Sequence, residues 1–211
     1  MPQSFEFKKQ LRFVITLGTG KFGSSDNNQI TLTGFRAVAE VDKAGGVQMS
    51  TLRAQVYGVS QEDMNSITTL MWKPALRIKN RVEVFAIDGE NESQIFGGDI
   101  VNAWGDYKNQ PDVFLHIQAQ AAFYNQIAAV AHLSINGPVK VWVIMKRIAD
   151  DMALDFENNG VDLVINDCYL ANTLTEKAKM LARDAGIDLY IDDKNNLDKM
   201  FDYLNLRKDI L

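Results

Sequence analysis

Strict alternation of apolar and polar residues is the dominant pattern in the first 135 residues of this chain. Because successive side chains of a β-strand point to opposite faces, such a pattern predicts strands with one buried face. Antiparallel strands of this kind are typical of a β-sandwich or a small barrel. The alternating runs are residues 11–17, 30–41, 47–58, 81–87, 94–104 and 112–121.

Turn and helix signals divide these strands. The Gly/Ser/Asn-rich segment 18–28 predicts a loop, and DKAGG at 42–46 predicts the turn of a hairpin. Ser60 is positioned to cap one helix, and Pro74 is positioned to end it. The apolar stripe of that helix is Met64, Ile67, Leu70 and Met71.

The pattern changes at Asn136-Gly137-Pro138, which we therefore take as a domain boundary. Helical spacing follows in Val141, Ile144, Ile148 and Met152. Asn158-Asn159-Gly160 predicts a hairpin, and residues 173–185 predict a second helix that Gly186 ends. A strand at 187–191 completes a small α-β-β-α-β unit.

The last residues, LDKMFDYLNLRKDIL, predict an amphipathic helix. Its apolar side would be formed by Leu197, Met200, Phe201, Leu204 and Leu206. The expected fold class is α+β, an antiparallel β-barrel or sandwich with one helix followed by a small α+β domain. The expected domains are 1–135 for the barrel, 136–193 for the small domain and 194–211 for the helical tail.

Composition excludes several classes of protein. The net charge is −5, with no basic stripe, so a nucleic-acid groove is not expected. No run approaches the roughly 18 apolar residues of a membrane span, and the first residues lack the apolar core of a signal peptide. With Cys168 as the single cysteine and two histidines, an internal disulfide and a Cys/His zinc cage are both excluded.

Gly18-Thr19-Gly20-Lys21-Phe22-Gly23 matches the GxGxxG pattern of dinucleotide-binding proteins and follows a predicted strand. Glu40 also lies at about the sequence position where a dinucleotide-binding protein has the acidic residue that binds the ribose. The binding motif, however, needs a helix to open at its third glycine, and here a polar loop and strand residues follow. We expect a glycine-rich loop that binds no cofactor.

Residues with catalytic chemistry lack a recognisable setting. His116 lies within a strand, and His132 lies in an apolar stretch, with no nucleophile placed beside either. Asp150 and Asp151 are adjacent on a predicted helix and so do not face each other, while Asp192-Asp193 lacks the ligand ladder of a calcium loop. We expect no enzyme, no cofactor and no metal site.

Several segments in order resemble baseplate hub proteins of contractile-tailed phages. They are LRFVITLGTGKFG, LTGFRAVAEVDKAGG, STLRAQVYGVSQEDMNSITTL, IFGGDIVNAW and PDVFLHIQAQA, followed by NGPVKVWVIMKRIADDMALDFENNGV and YLANTLTEKAKMLARDAGIDLYID. The resemblance implies tail-tube-like barrels, usually two per chain, and trimers that join the hexameric tail tube to the central spike. Here the chain ends at Leu211 where the family's second barrel usually follows, so a sixfold ring is equally compatible.

The resemblance implies a structural protein of the virion tail baseplate, assembled in the host cytoplasm. Its partners would be other copies of the chain, the tail tube protein, the spike and other baseplate proteins, without membrane or specific nucleic acid. Alternatives are a sixfold tube initiator or tube-like ring protein, a tail-associated cell-wall hydrolase, and a binding module for a small ligand.

One strand predicts a surface for assembly. On the strand after the DKAGG turn, Ser50, Leu52, Ala54 and Val56 would pack inward. The outward row would mix long polar side chains with Met and Tyr, which suits a subunit interface or a water-filled lumen. The residues of that row expected at a subunit interface are Met49, Arg53, Gln55 and Tyr57.

Overall fold

The computed structural model describes residues 9–23, 27–43, 48–68, 79–108, 110–192 and 199–203. These residues divide into two units, the first formed by 9–43 and 50–121 and the second mainly by 122 onward. The division therefore follows Ala121, earlier in the chain than the expected boundary at Leu133–Pro138. Within the described part, no helix is long and apolar enough to cross a bilayer.

The first unit is one antiparallel sheet with a short helix. Its order across the sheet is β2-β1-β5-β6-β7-β4-β3. Every predicted strand region is present, which confirms the α+β class with a mostly antiparallel sheet. The elements are β1 (Gln10–Thr16), β2 (Gln29–Thr33), β3 (Ala37–Asp42), β4 (Thr51–Tyr57), α1 (Gln61–Ile67), β5 (Arg81–Asp88), β6 (Asn91–Asp106) and β7 (Phe114–Gln120).

The sheet curls into an almost closed barrel. Strands β2 and β3 lie at its opposite edges, yet only Gly34, Phe35 and Arg36 connect them. Four Cα steps span at most about 14 Å, so the two edges must come close at this corner. Apolar side chains from the strands and from α1 form one core cluster inside, including Phe13, Leu32, Leu52, Met64, Val82, Phe96 and Leu115.

The predicted hairpin and the predicted helix cap are both present. β3 pairs with β4 from Ala37↔Val56 to Asp42↔Thr51, so β4 starts at Thr51 and the connection is longer than the expected turn. The Ser60 hydroxyl accepts a hydrogen bond from the Asp63 amide at 3.1 Å, as an N-cap does. The predicted positions Leu70, Met71 and Pro74 lie outside the described residues.

The second unit contains helices and two small sheets. β8 pairs with β10 as a ribbon, and β12 lies between β11, to which it is antiparallel, and β9, to which it is parallel. The elements are α2 (Phe123–Ile127), β8 (Leu133–Lys140), α3 (Val141–Met152), β9 (Asp155–Asn159), β10 (Val164–Leu170), α4 (Leu174–Ala185), β11 (Asp188–Asp192) and β12 (Lys199–Tyr203).

Helix α3 begins at Val141, where the helical spacing starts. Strand β8 precedes it and continues through Asn136-Gly137-Pro138, where the Gly137 amide donates to Asp167 Oδ1 at 2.8 Å. The predicted hairpin was wrong, because β9, which ends at Asn159, and β10 belong to different sheets. The Asn158 side chain accepts hydrogen bonds from the amides of Gly160 and Val161, so it forms the turn locally without a hairpin ladder.

The prediction of a tail helix was also wrong for residues 199–203, which form strand β12. Pairing with strands on both sides supplies backbone partners that a short apolar pattern cannot reveal. The remaining predicted tail positions, Leu197, Leu204 and Leu206, lie outside the described residues. The helix predicted at residues 173–185 is confirmed as α4. Thr173 caps its first turn, and Gly186 ends it with a φ angle of +65°.

Candidate interaction surface

Strand β4 separates the barrel core from an outward row, as its alternation predicts. Leu52, Ala54 and Val56 are at most 3% exposed. Arg53 is exposed, and Gln55 and Tyr57 are partly exposed on the opposite face. Met49 does not belong to this row, because it precedes the strand and is only 6% exposed.

Aromatic rings extend the outward row across three strands. Tyr57 lies 5.0 Å from Phe114, and Phe114 lies 4.8 Å from His116, between ring centroids. The His116 ring is stacked on Trp104 at 4.5 Å. The Arg36 guanidinium covers the Tyr57 ring at 4.6 Å. We call these five residues the aromatic face.

The strand register explains why sequence reasoning missed part of this face. Phe114 is the ladder partner of both Tyr57 on β4 and Asp106 on β6, while His116 is the partner of Gln55 and Trp104. The alternation along β7 shows that Phe114 and His116 share a face. Only the pairing of β6 with β7 places Trp104 beside them.

Charged and apolar groups lie beside the aromatic face. Asp106 Oδ2 lies 3.8 Å from His116 Nε2. Arg53 and Glu40 are ladder partners on β4 and β3, but in the described part of the chain neither forms an ion pair. Val38 is 58% exposed. Phe114 is buried among these rings, whereas Tyr57, Trp104 and His116 are partly exposed. Partly exposed rings beside an exposed valine, with an arginine that has no carboxylate partner in the described residues, fit contact with another protein surface.

The outer face of the other half of the barrel is different. The Arg12 guanidinium bonds Glu92 at 2.5 Å and covers the Phe85 ring at 4.2 Å. Arg81 lies 3.6 Å from Glu83. These cations therefore have carboxylate partners within the chain. This contrast marks the β6–β7–β4–β3 half as the candidate interaction surface.

The glycine-rich loop has structural reasons for its glycines. It connects the antiparallel strands β1 and β2, so it does not open a helix of the dinucleotide-binding kind. A Cβ on Gly18 would lie 2.7 Å from the backbone N and O of Lys79. Gly20 and Gly23 have φ angles of +91° and +52°, a region that favours glycine.

The other residues considered for chemistry are not assembled into a site. His132 belongs to the second unit, where its ring lies 5.6 Å from that of Tyr169. Asp150 bonds Lys146 at 3.0 Å. Asp192 ends β11, and Asp193 lies outside the described residues. Over the described ranges, no three His, Cys, Asp or Glu side chains are grouped to hold a metal ion.

Cys168 is a free, buried thiol on β10. Burial raises its pKa, and the negative charge of Asp184 raises it further. A thiol in this state is a weak nucleophile, since the thiolate is the reactive form. The buried position of Cys168 therefore indicates a packing role in the second unit.

Comparison with known proteins gives similarity in structure only. No protein family and no curated protein matches the sequence. A 43 kDa tail protein of prophage MuSo2 from Shewanella oneidensis matches with a TM-score of 0.56 and 8% identity, over 91% of this chain and 53% of that one. A tail protein from Neisseria meningitidis MC58 matches with a TM-score of 0.54 and 8% identity, over 89% of this chain and 50% of that one.

A third solved structure, a PdpA–VgrG complex, matches with a TM-score of 0.56 and 11% identity, over 96% of this chain and 38% of the matched chain. The chain spans about half the length of the two solved tail proteins. The barrel and the small α+β unit therefore have a fold that is also found in phage tail proteins.

Proposed function

We propose that the chain is a structural, non-enzymatic subunit of a phage tail baseplate hub, which joins the tail tube to the central spike. The observation that carries the proposal is the fold shared with two phage tail proteins over about 90% of the chain. The order of sequence segments that resembles hub proteins supports the narrower role. Within this proposal the protein resides in the virion tail and assembles in the host cytoplasm.

Assembly would use the candidate interaction surface. An open sheet edge carries unpaired N–H and C=O groups, and β2 and β3 are such edges in the described sheet. Packing of neighbouring copies in a closed ring would cover the edges and the aromatic face together. We therefore propose a homo-oligomer of three or six copies in contact with the tail tube protein, the spike and other baseplate proteins.

A second candidate is a sixfold tube initiator or tube-like ring protein. The described residues contain one barrel-like sheet. If each subunit contributes one barrel, six copies rather than three would match a sixfold tube. This candidate shares the fold, the non-enzymatic role and the interface with the first and differs from it in copy number.

Native mass spectrometry of the protein, alone and with its tail tube and spike proteins, tests both candidates. Three copies in the complex would favour the hub, and six copies would favour the tube-like ring. A chain that stays monomeric beside both partners would overturn the proposed role. Electron microscopy of the same sample would show whether the copies form a ring.

A further inference from the structure

The chain has two Asn-Gly pairs, Asn136-Gly137 and Asn159-Gly160, and both lie in the second unit. An Asn-Gly pair can modify itself, because glycine has no side chain to keep its own nitrogen away from the preceding asparagine. Both asparagines are exposed, so access of water does not distinguish the two pairs. Their relative reactivity therefore depends on the groups that surround each glycine nitrogen.

The self-modification of an Asn-Gly pair consumes only water. The glycine nitrogen loses its proton to hydroxide and attacks the side-chain Cγ of the asparagine, so that an N–Cγ bond forms. The Cγ–Nδ2 bond breaks, and that nitrogen leaves as ammonia after it takes a proton from water. Water then opens the imide ring at either carbonyl, which yields aspartate or isoaspartate. Because the glycine nitrogen becomes negative in the first step, a charged neighbour changes the rate.

A carboxylate lies against the nitrogen of Gly137. The Gly137 amide donates to Asp167 Oδ1 at 2.8 Å. Loss of the amide proton would place an anionic nitrogen beside this carboxylate, and two negative charges in contact repel each other. Asp167 has a left-handed backbone, with a φ angle of +51°, at the register shift between Asn166 and Cys168. A residue other than glycine adopts this conformation at an energetic cost, which fits a specific role for the Asp167 side chain.

The nitrogen of Gly160 contacts an uncharged group instead. The Gly160 amide donates to Asn158 Oδ1 at 2.9 Å, and the same oxygen accepts a hydrogen bond from the Val161 amide at 2.7 Å. This oxygen is shared between two amides and carries no net charge. Neither of the two amides bonds a carboxylate of the described residues. Loss of the Gly160 proton is therefore opposed less strongly than loss of the Gly137 proton.

We propose that Asn159 is a site of spontaneous deamidation in this chain and that the Asp167 carboxylate protects Asn136 from the same reaction. The modification would affect a sheet, because Asn159 is the ladder partner of Tyr203 on β12. Isoaspartate adds a methylene group to the main chain, so the end of β9 would lose its register with β12. Asp167 prevents the corresponding change in the ribbon of β8 and β10, which contains Asn136.

Incubation of the intact protein in mildly alkaline buffer tests the proposal. Peptide mapping by mass spectrometry measures deamidation at each asparagine, and an isoaspartyl methyltransferase detects the isoaspartate. Rates in guanidinium, where the folded contacts are lost, give the intrinsic reactivity of each pair. Relative to these rates, folding should slow Asn136 about fivefold more than Asn159, the effect of one neighbouring unit charge in water. Equal slowing of both asparagines, or stronger slowing of Asn159, would overturn the proposal.

Removal of the carboxylate tests the role of Asp167. Asp167→Asn keeps a side-chain oxygen for the Gly137 amide but removes the charge. Deamidation at Asn136 should therefore rise about fivefold, while the rate at Asn159 stays the same. Asp151→Asn removes an exposed carboxylate of α3 and is the charge-matched control, which should change neither rate. Hydrogen exchange of the β8 and β10 amides verifies that the ribbon is intact. The protective role is overturned by an unchanged rate at Asn136, or by a rise that accompanies lost protection across the ribbon.

Discussion

The Trp104 indole is stacked on the His116 imidazole, with ring centroids 4.5 Å apart and the planes inclined by 19°. The two residues are ladder partners on β6 and β7, so the strand register holds the rings together. His116 also contacts Phe114, which contacts Tyr57. The stack is therefore one end of a continuous aromatic row on the outer side of the barrel.

Trp104→Ala should weaken assembly while leaving the monomer folded. Tryptophan is enriched among the interface residues whose truncation costs about 2 kcal/mol or more, so we expect an association constant at least tenfold lower. Sedimentation velocity measures the association, and circular dichroism measures the fold. Phe85→Ala is the matched control, since Phe85 is covered by Arg12 on the other half of the barrel. Equal weakening by both variants would contradict an interface at the aromatic face.

Arg53→Glu should also weaken assembly. Arg53 is exposed, and the change places a second carboxylate opposite Glu40 without removing an ion pair in the described part of the chain. We expect a stability loss of about 1 kcal/mol or less, since both groups are solvated. Light scattering should show fewer large species than for Arg147→Glu, a charge-matched control at an exposed position of α3 in the second unit. An unchanged oligomer would remove Arg53 from the interface.

Gly18→Ala should destabilise the protein more than Gly20→Ala. A Cβ at Gly18 would lie 2.7 Å from the Lys79 backbone, whereas a Cβ at Gly20 meets nothing within 4 Å. We expect Gly18→Ala to cost about 2 kcal/mol or more through overpacking. Gly20→Ala should cost about 1 kcal/mol through its positive φ. Urea denaturation of the two variants measures the difference, and the reverse order would contradict the close approach.

The glycine-rich loop should bind neither NAD nor ATP. It joins two antiparallel strands, so it lacks the helix N-terminus that holds a pyrophosphate. Titration of each nucleotide should leave the melting temperature unchanged, because a ligand that binds only the native state must raise it. A saturable rise of several degrees would show that the loop binds nucleotide.

Cys168 should react slowly with a thiol reagent at pH 8. Its raised pKa keeps the native thiol protonated, so native protein should react more than tenfold slower than protein in guanidinium. The unfolded thiol ionises first as the pH rises. The free energy of unfolding should therefore fall above about pH 8.5. Cys168→Ala should lack this part of the pH dependence, and an identical profile for both proteins would contradict it.

Local patterns predicted features of both units. Period-2 alternation located the strands of the first unit and the buried face of β4, Ser60 indicated the start of α1, and Gly186 indicated the end of α4. These features depend on neighbouring residues in the chain: side-chain direction, capping hydrogen bonds and glycine's access to positive φ. The polar and strand-forming residues that follow Gly23 in the sequence likewise predicted that β1 and the glycine-rich loop would not form a dinucleotide-binding unit.

The sequence by itself determined the fold class, most element positions and the alternation that gives β4 its outward Arg53, Gln55 and Tyr57. Tertiary structure alone decided which elements pair. Residues 199–203 became a strand because β9 and β11 lie on both sides of them. Trp104 joined the aromatic face through the β6–β7 register. Pairing between distant strands depends on backbone hydrogen bonds and packing over the whole sheet, which no local pattern encodes.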